Sequence, residues 1–400
     1  MLVTSQIPNG SGRILRADRE LIEVELIAYS KGARYTCFEI SEVSEPRRQE
    51  VVLLPDRHFR IATFAYKFHA DVWVREDGAA EWYRSEVVDR TPERVRIALD
   101  LRPGVTYTVS SEPPRAYCDT TAELFALPLA HPGRMSLHCL GHSVEHRPIF
   151  ALRIGAAAPG EEDRPVIHVV AGEHASESAG EEIARGMLDL VLNDREGITD
   201  GYIFDFVLNA NPDGNVHGWH QYNARDWQAH NYADTIDRSW HHEFVPYMKG
   251  LPFDYSPETV ALMEWLKTTR PACYLSMHSW EGHEGNPGAF HAHPDELSPA
   301  MAEAVVAMDE IAVATSRTLG FEFVPRPSPG DQLHLGQYLM RNELAAAYLP
   351  EGNYAQGREA MQALGRGLLR GLLARVKPKA APARWEAMFG AERAIAEGVA

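Results

Sequence analysis

From about residue 120 onward the chain alternates nearly unbroken apolar runs with amphipathic helical stretches, and this alternation restricts its fold more than any other feature. Residues 165–171 (PVIHVVA) are almost continuously apolar, as expected of a strand covered on both faces. Residues 178–192 follow, with Ile183, Met187, Leu188, Leu190 and Val191 on one stripe, the helical period. Strand-like runs recur at 202–208, 273–277 and 345–349, and helical stretches at 257–268, 298–318 and 358–376. Two of these helices open on Ser-Pro, at Ser256-Pro257 and Ser298-Pro299. That dipeptide joins an N-cap hydroxyl to a residue favoured at the first helical position. Such alternation implies α/β layers around a parallel or mixed sheet.

Before residue 115 the pattern is different. In residues 94–101 (RVRIALDL), Val95, Ile97, Leu99 and Leu101 share one face and Arg94, Arg96, Ala98 and Asp100 the other, the period of a half-buried strand. Short runs at 21–28, 60–66, 71–75 and 105–109 read the same way, with turn signals at Asp77-Gly78 and Pro103-Gly104. The expected organisation is a β-sandwich-like domain over 1–117, a mixed-sheet α/β catalytic domain over 118–380 and a tail over 381–400.

Composition narrows the function. Lys and Arg total 39 against 56 Asp and Glu, a net charge of −17. An acidic surface repels phosphate backbones, so nucleic acid is not an expected partner. No apolar run reaches the roughly 18 residues of a membrane span, and the N-terminus lacks the basic and apolar regions of a secretory signal. The four cysteines, Cys37, Cys118, Cys139 and Cys273, form no CxxC and read as small buried hydrophobes of a reducing compartment. A cytoplasmic location is the expectation. Oligomeric state is not legible.

Ligands of open α/β sheets gather beyond the carboxyl ends of the strands. Gly172-Glu173-His174-Ala175-Ser176-Glu177 follows the 165–171 run, and Asn209-Ala210-Asn211-Pro212-Asp213-Gly214 follows the 202–208 run. His278 follows the 273–277 run, and Pro350-Glu351-Gly352-Asn353 follows the 345–349 run. His174 and Glu177 are nearly one helical turn apart, so both can reach one ion. With His278 they form a His₂Glu set, one of the three-ligand arrangements of catalytic zinc, and one Zn²⁺ per chain is expected. Glu351 is then suited to be the base that takes a proton from the attacking water. His241-His242 and the His291, His293 pair lack a strand-end context and read as loop or rim residues. The Ser176-Glu177-Ser178 run contains no GxSxG, which argues against serine hydrolysis, and no glycine-rich dinucleotide or phosphate loop appears.

Together these residues resemble the zinc carboxypeptidase family, the funnelin metallopeptidases. The HxxE of His174 and Glu177, the distant His278, the later Glu351 and the turn Asn211-Pro212-Asp213-Gly214 all match family motifs. Leu140-Gly141-His142-Ser143 with Arg147-Pro148-Ile149 resembles the family's opening segment, and the likeness spans about residues 120–375. The resemblance implies His174, Glu177 and His278 as zinc ligands and Glu351 as general base. It also implies Arg225 as the arginine that polarises the scissile carbonyl, and Tyr338, in competition with His334, as an assisting tyrosine. Ile236-Asp237-Arg238-Ser239-Trp240 resembles the family's LNRNF segment. Arg238 would bind the substrate carboxylate, but Asp237 stands where the family has Asn. The β-rich N-terminal part is similar in order and length to that of the cytosolic carboxypeptidase branch.

The expected activity is hydrolysis of an amide bond by a metallocarboxypeptidase that releases C-terminal residues from peptides. Asp237 keeps open a zinc-dependent deacylase, amidase or endopeptidase acting on a substrate without a free C-terminal carboxylate. A non-catalytic binding protein on the same scaffold is the reading from another class.

Overall fold

The computed structural model describes residues 1–26, 35–55, 72–91, 93–155, 164–219, 257–279, 286–328, 335–379 and 384–385. The N-terminal strands are β1 (Leu2–Thr4), β2 (Arg13–Ala17), β3 (Leu21–Glu25), β4 (Cys37–Ser41), β5 (Arg47–Leu54), β6 (Trp73–Glu76), β7 (Tyr83–Arg84), β8 (Glu86–Thr91), β9 (Arg94–Leu101) and β10 (Tyr107–Ser110). They form two sheets, ordered β1-β4-β10-β6-β7 and β2-β3-β5-β9-β8. Strand β9 alternates as its sequence predicts: Val95, Ile97, Leu99 and Leu101 are buried between the sheets. They meet Ile22, Val24, Val51 and Leu53 of their own sheet and Phe38, Ile40, Val74 and Val109 of the other. Two half-buried faces closing on one apolar core make a sandwich. The run at 60–66 lies outside the described residues.

The remaining elements are α1 (Tyr117–Ala130), β11 (Met135–His142), β12 (Pro148–Ile154), β13 (Val166–Ala171), α2 (Ser178–Asn193), β14 (Ile203–Val207) and α3 (Pro212–His217). Then come α4 (Pro257–Thr269), β15 (Cys273–Ser279), β16 (Gly288–Ala292), α5 (Pro299–Thr318), β17 (Val324–Ser328), α6 (Leu335–Arg341), β18 (Ala346–Gly352) and α7 (Arg358–Gly371). Eight strands pair in the order β11-β12-β14-β13-β15-β18-β16-β17. The central β14, β13, β15 and β18 run parallel. Strands β11 and β12 are antiparallel on one side, and β16 is antiparallel to β18 on the other. The sheet is therefore mixed.

Helices α2, α5 and α7 cover one face, where Ile183, Met187, Met308, Met361 and Leu368 meet Ile167, Val169, Leu275 and Met277. Helices α4 and α6 cover the other, where Leu262, Leu266, Leu339 and Met340 meet Val170, Val207 and Tyr274. Coverage on both sides explains why all six residues of β13 and all five of β14 are buried.

Two expectations are corrected here. His291 is neither loop nor rim: it is buried within β16, with Nε2 3.1 Å from Asp309 of α5. A strand-end search passed over it because its strand is short and flanked by glycine and proline. Of the cysteines, Cys37 and Cys273 are buried, whereas Cys118 and Cys139 are exposed. Among the described residues no helix is long and apolar enough to cross a membrane.

Candidate metal centre and active site

Strands β13, β15 and β18 are consecutive neighbours in the sheet, and all three end at the same edge. His174 and Glu177 lie in the turn between β13 and α2, His278 is the next-to-last residue of β15, and Glu351 stands opposite it in register on β18. Parallel pairing thus brings together residues separated by up to 177 positions in the chain.

One imidazole nitrogen each from His174 and His278 and one carboxylate from Glu177 converge, with all three ligand atoms within 4.8 Å of one another. Nδ1 of His174 is 2.9 Å from Glu177 Oε1, and Nδ1 of His278 is 2.8 Å from Glu177 Oε2. The two Nδ1 atoms are 3.2 Å apart. With one ring protonated at Nδ1 the pair is a hydrogen bond. With both Nδ1 lone pairs turned inward beside the Glu177 carboxylate, the three form a donor set for a shared cation. Zinc bonds of about 2.0–2.2 Å in a tetrahedron set donor separations of about 3.3–3.6 Å, so a small outward adjustment would admit the ion. The donor set fits zinc.

Behind His278 a second polar layer fixes the ring. Tyr274, Ser276 and His278 alternate along β15 and therefore share a face. All three address Glu173, a buried carboxylate beside His174. Ser276 donates to Glu173 Oε2, Tyr274 Oη lies 3.4 Å from Oε1, and His278 Nε2 lies 2.9 Å from Ser276 Oγ and 3.4 Å from Glu173 Oε2. A proton held on Nε2 by this layer leaves the Nδ1 lone pair facing the metal position, the usual second-layer arrangement of metal-ligating histidines. Burial opposes charge on His278, but the carboxylates of Glu177 and Glu173 outweigh it and raise its pKa well above the ordinary histidine value. Burial likewise opposes charge on Glu177, but His174 and His278 outweigh it and hold its pKa well below the ordinary carboxylate value.

The close approach of α2 to β15 depends on Gly180. A Cβ there would lie 2.6 Å from the Met277 carbonyl oxygen and 2.7 Å from the His278 nitrogen. Any side chain would push apart the helix that begins after Glu177 and the strand that carries His278.

Two motif segments also prove to be bonded to each other. Asp213 of the Asn-Pro-Asp-Gly turn is fully buried. It accepts from Ser143 Oγ at 2.6 Å, Glu145 N at 2.9 Å and Arg147 Nη1 at 2.6 Å. Asn211 caps α3 by accepting from Gly214 N, and its own N–H donates to the Gly172 carbonyl. The turn therefore braces the His174 loop from the side.

Arg225, Asp237, Arg238, His334 and the His241-His242 pair lie outside the described residues. Tyr338 falls within α6. Sequence reasoning missed Glu173 and Arg326. Period-two alternation of Tyr274, Ser276 and His278 was a usable signal for a buried partner opposite that face. Arg326, on edge strand β17, lies over the Phe290 ring at 5.7 Å; burial lowers its pKa, and the Glu351 carboxylate opposes that shift.

The family model for zinc carboxypeptidases matches residues 120–283. No curated protein matches the sequence. Among solved structures, a metallo-carboxypeptidase from Burkholderia cenocepacia is similar at TM-score 0.77 and 18% identity, over 94% of this chain and 99% of that one. A metallo-carboxypeptidase from Pseudomonas aeruginosa, in complex with (2-guanidinoethylmercapto)succinic acid, is similar at TM-score 0.74 and 18% identity, over 94% and 99%. A carboxypeptidase A from Helicoverpa armigera is similar at TM-score 0.51 and 15% identity, over 73% and 91%. The first two likenesses extend through the N-terminal sheets as well as the mixed sheet.

Proposed function

We propose that this chain, a member of the zinc carboxypeptidase family by its residues 120–283, is a metallocarboxypeptidase that releases C-terminal residues from peptides. The observation that carries the reading is the alignment of His174, Glu177, His278 and Glu351 along the ends of three adjacent strands. His174, Glu177 and His278 would hold the metal. Zinc in such a site polarises a carbonyl and lowers the pKa of water.

The chain's own residues supply the rest. Glu351, buried and in register with His278 on the neighbouring strand, takes a proton from the attacking water and delivers it to the leaving amine. Arg225 stabilises the developing oxyanion, and Tyr338 assists. Arg238 binds the terminal carboxylate of the peptide. Burial opposes the charge of Arg326 and the Glu351 carboxylate supports it; a guanidinium there would favour an anionic substrate terminus on a protein whose net charge is −17.

A specific residue favours a second reading. An ionised Asp237 beside an incoming carboxylate is repulsive, and it would suit an amine or hydroxyl near the scissile bond instead. The substrate would then be an acylated or amidated compound, cleaved by a deacylase, amidase or endopeptidase. Mass-spectrometric cleavage mapping separates the two. The panel holds peptides with free C-termini, the same peptides amidated, and N-acyl amino acids. Loss of single residues from free C-termini alone supports the carboxypeptidase. Cleavage of the amidated or acylated substrates, with free C-termini ignored, overturns it. In that case Asp237→Asn should restore some carboxypeptidase activity.

A further inference from the structure

The N-cap of α2 is Glu177, yet its side chain makes no capping hydrogen bond. Its carboxylate faces the two histidines and also accepts from Ser279 N at 3.0 Å. A ligand cannot serve the metal position and its own helix end at once, and exposed helical N–H groups need an acceptor. The acceptor comes from the N-terminal sheets. Glu112, 3% exposed and two residues beyond β10, accepts from Ala179 N at 2.7 Å and from Ser279 Oγ at 2.8 Å through the same oxygen. Ser279 Oγ in turn lies 3.1 Å from Ala179 N and 3.3 Å from Gly180 N.

Glu112 is itself anchored on the sandwich side. Its backbone carbonyl accepts from Ser110 Oγ at 2.7 Å, and the preceding Ser111 N donates to the Thr36 carbonyl at 3.0 Å. The same region reaches the third element of the site. The Trp73 ring of β6 meets Tyr354 edge-on at 5.1 Å, three residues after Glu351.

We infer that Glu112 is a positioning residue for the metal centre: the N-terminal β region uses its carboxylate to lock the first turn of α2, behind Glu177, to Ser279, beside His278. The inference rests on the metal-site reading above. The ligand separation is then set from outside the mixed sheet, and the N-terminal region is part of the catalytic frame.

The test uses the full-length zinc-loaded protein with Glu112→Ala, Glu112→Gln and Glu112→Asp. Asn9→Ala serves as a control. It removes two equally buried bonds between the same two regions, Asn9 Nδ2 to the Asn215 carbonyl at 2.8 Å and to Asn215 Oδ1 at 3.0 Å. The readouts are zinc affinity by chelator competition, the visible spectrum of the cobalt-substituted protein, the kcat and KM pair, and Tm.

Glu112→Ala is expected to weaken zinc binding about 10- to 100-fold, shift the cobalt bands and lower kcat more than KM. Glu112→Gln, which keeps an acceptor oxygen, should recover most of the affinity. Asn9→Ala should lower Tm while leaving affinity and spectrum as in wild type. If Glu112→Ala does not fold, Glu112→Asp decides, because withdrawing the carboxylate by one methylene must still weaken zinc binding. Wild-type zinc affinity and cobalt spectrum in the Glu112 variants, with only Tm lowered, would overturn the inference. If the wild-type chain itself takes up no zinc, the metal-site reading falls and this one with it. If wild type loads and hydrolyses while the Glu112 variants match it, this one falls alone.

Discussion

Glu173 and His278 face each other across adjacent strand ends, with His278 Nε2 3.4 Å from Glu173 Oε2 and the Ser276 hydroxyl between them. The carboxylate does not point at the metal position. Its effect is on the ring, which it orients and whose ligating nitrogen it makes more basic. Replacing Glu173 by Gln keeps the shape and one acceptor but removes the charge. Zinc affinity should fall about 10- to 100-fold, with one zinc still bound per chain when the metal is in excess. Titration against a competing chelator checks this. Unchanged affinity would mean that Ser276 alone orients the ring.

Glu351 and His174 should fail in opposite ways. Glu351→Gln removes the base and leaves the donor set intact. Turnover should drop by about 10²–10⁴ with zinc content unchanged. His174→Ala removes a donor, so metal content itself should collapse. Metal analysis of the purified variants, run beside kcat, separates the roles. Survival of activity in Glu351→Gln would refute the base assignment, and full zinc content in His174→Ala would remove it from the ligand set.

What was legible in the sequence follows from which forces act locally. Strand β13 and helix α2 each carry an unmistakable burial pattern, so the turn between them, with His174 and Glu177, could be located within a residue or two. His278 and Glu351 were found because the apolar runs at 273–277 and 345–349 stop just before them, although β15 and β18 continue past both, to Ser279 and Gly352. Their pairing in register could not be read, since it depends on strand order. The edge strands were missed for identifiable reasons. Strand β17 reads VPRPS, and its two prolines are tolerated only because it borders the sheet. Strand β11 is mostly half-buried and broken by a bulge between Cys139 and Gly141, which blurs its alternation. Helix α1 contains Pro128, an anti-helical signal overridden by packing. Glu112 had no local signature, because its partners are 67 and 167 residues away.

His291 gives the stability a pH dependence of known sign. Burial opposes its charge, but the Asp309 carboxylate outweighs burial and raises its pKa above the ordinary value. Tyr348 donates to the other oxygen of Asp309 at 2.7 Å and stacks on the His291 ring. A folded-state pKa above the unfolded value of about 6.5 means that the folded state binds the proton more tightly. The contribution is fully present below the unfolded value and is lost as pH rises through the raised folded value. In zinc-free protein the Tm advantage of wild type over His291→Gln should therefore shrink as pH rises. A difference that is flat or grows with pH would show that the His291–Asp309 pair does not hold the proton.

The crossing of α2 and α7 gives the last prediction. A Cβ on Gly186 would lie 1.9 Å from the Gln362 carbonyl oxygen, and one on Gly365 would lie 2.0 Å from the Ile183 carbonyl oxygen. In both cases the obstacle is backbone, which cannot swing aside as a side chain would. Gly186→Ala and Gly365→Ala should each destabilise by about 1–3 kcal/mol or more, the cost of overpacking, despite the better helix propensity of alanine. Both glycines serve one interface, so the effects should not add. Once the first Cβ has forced the helices apart, the second finds room already made, and the double variant should lose less than the sum. Urea midpoints of the two single variants and the double variant measure this directly. Strict additivity would mean that the helices yield locally at each glycine rather than moving as rigid rods, and no loss at either site would contradict the close crossing itself.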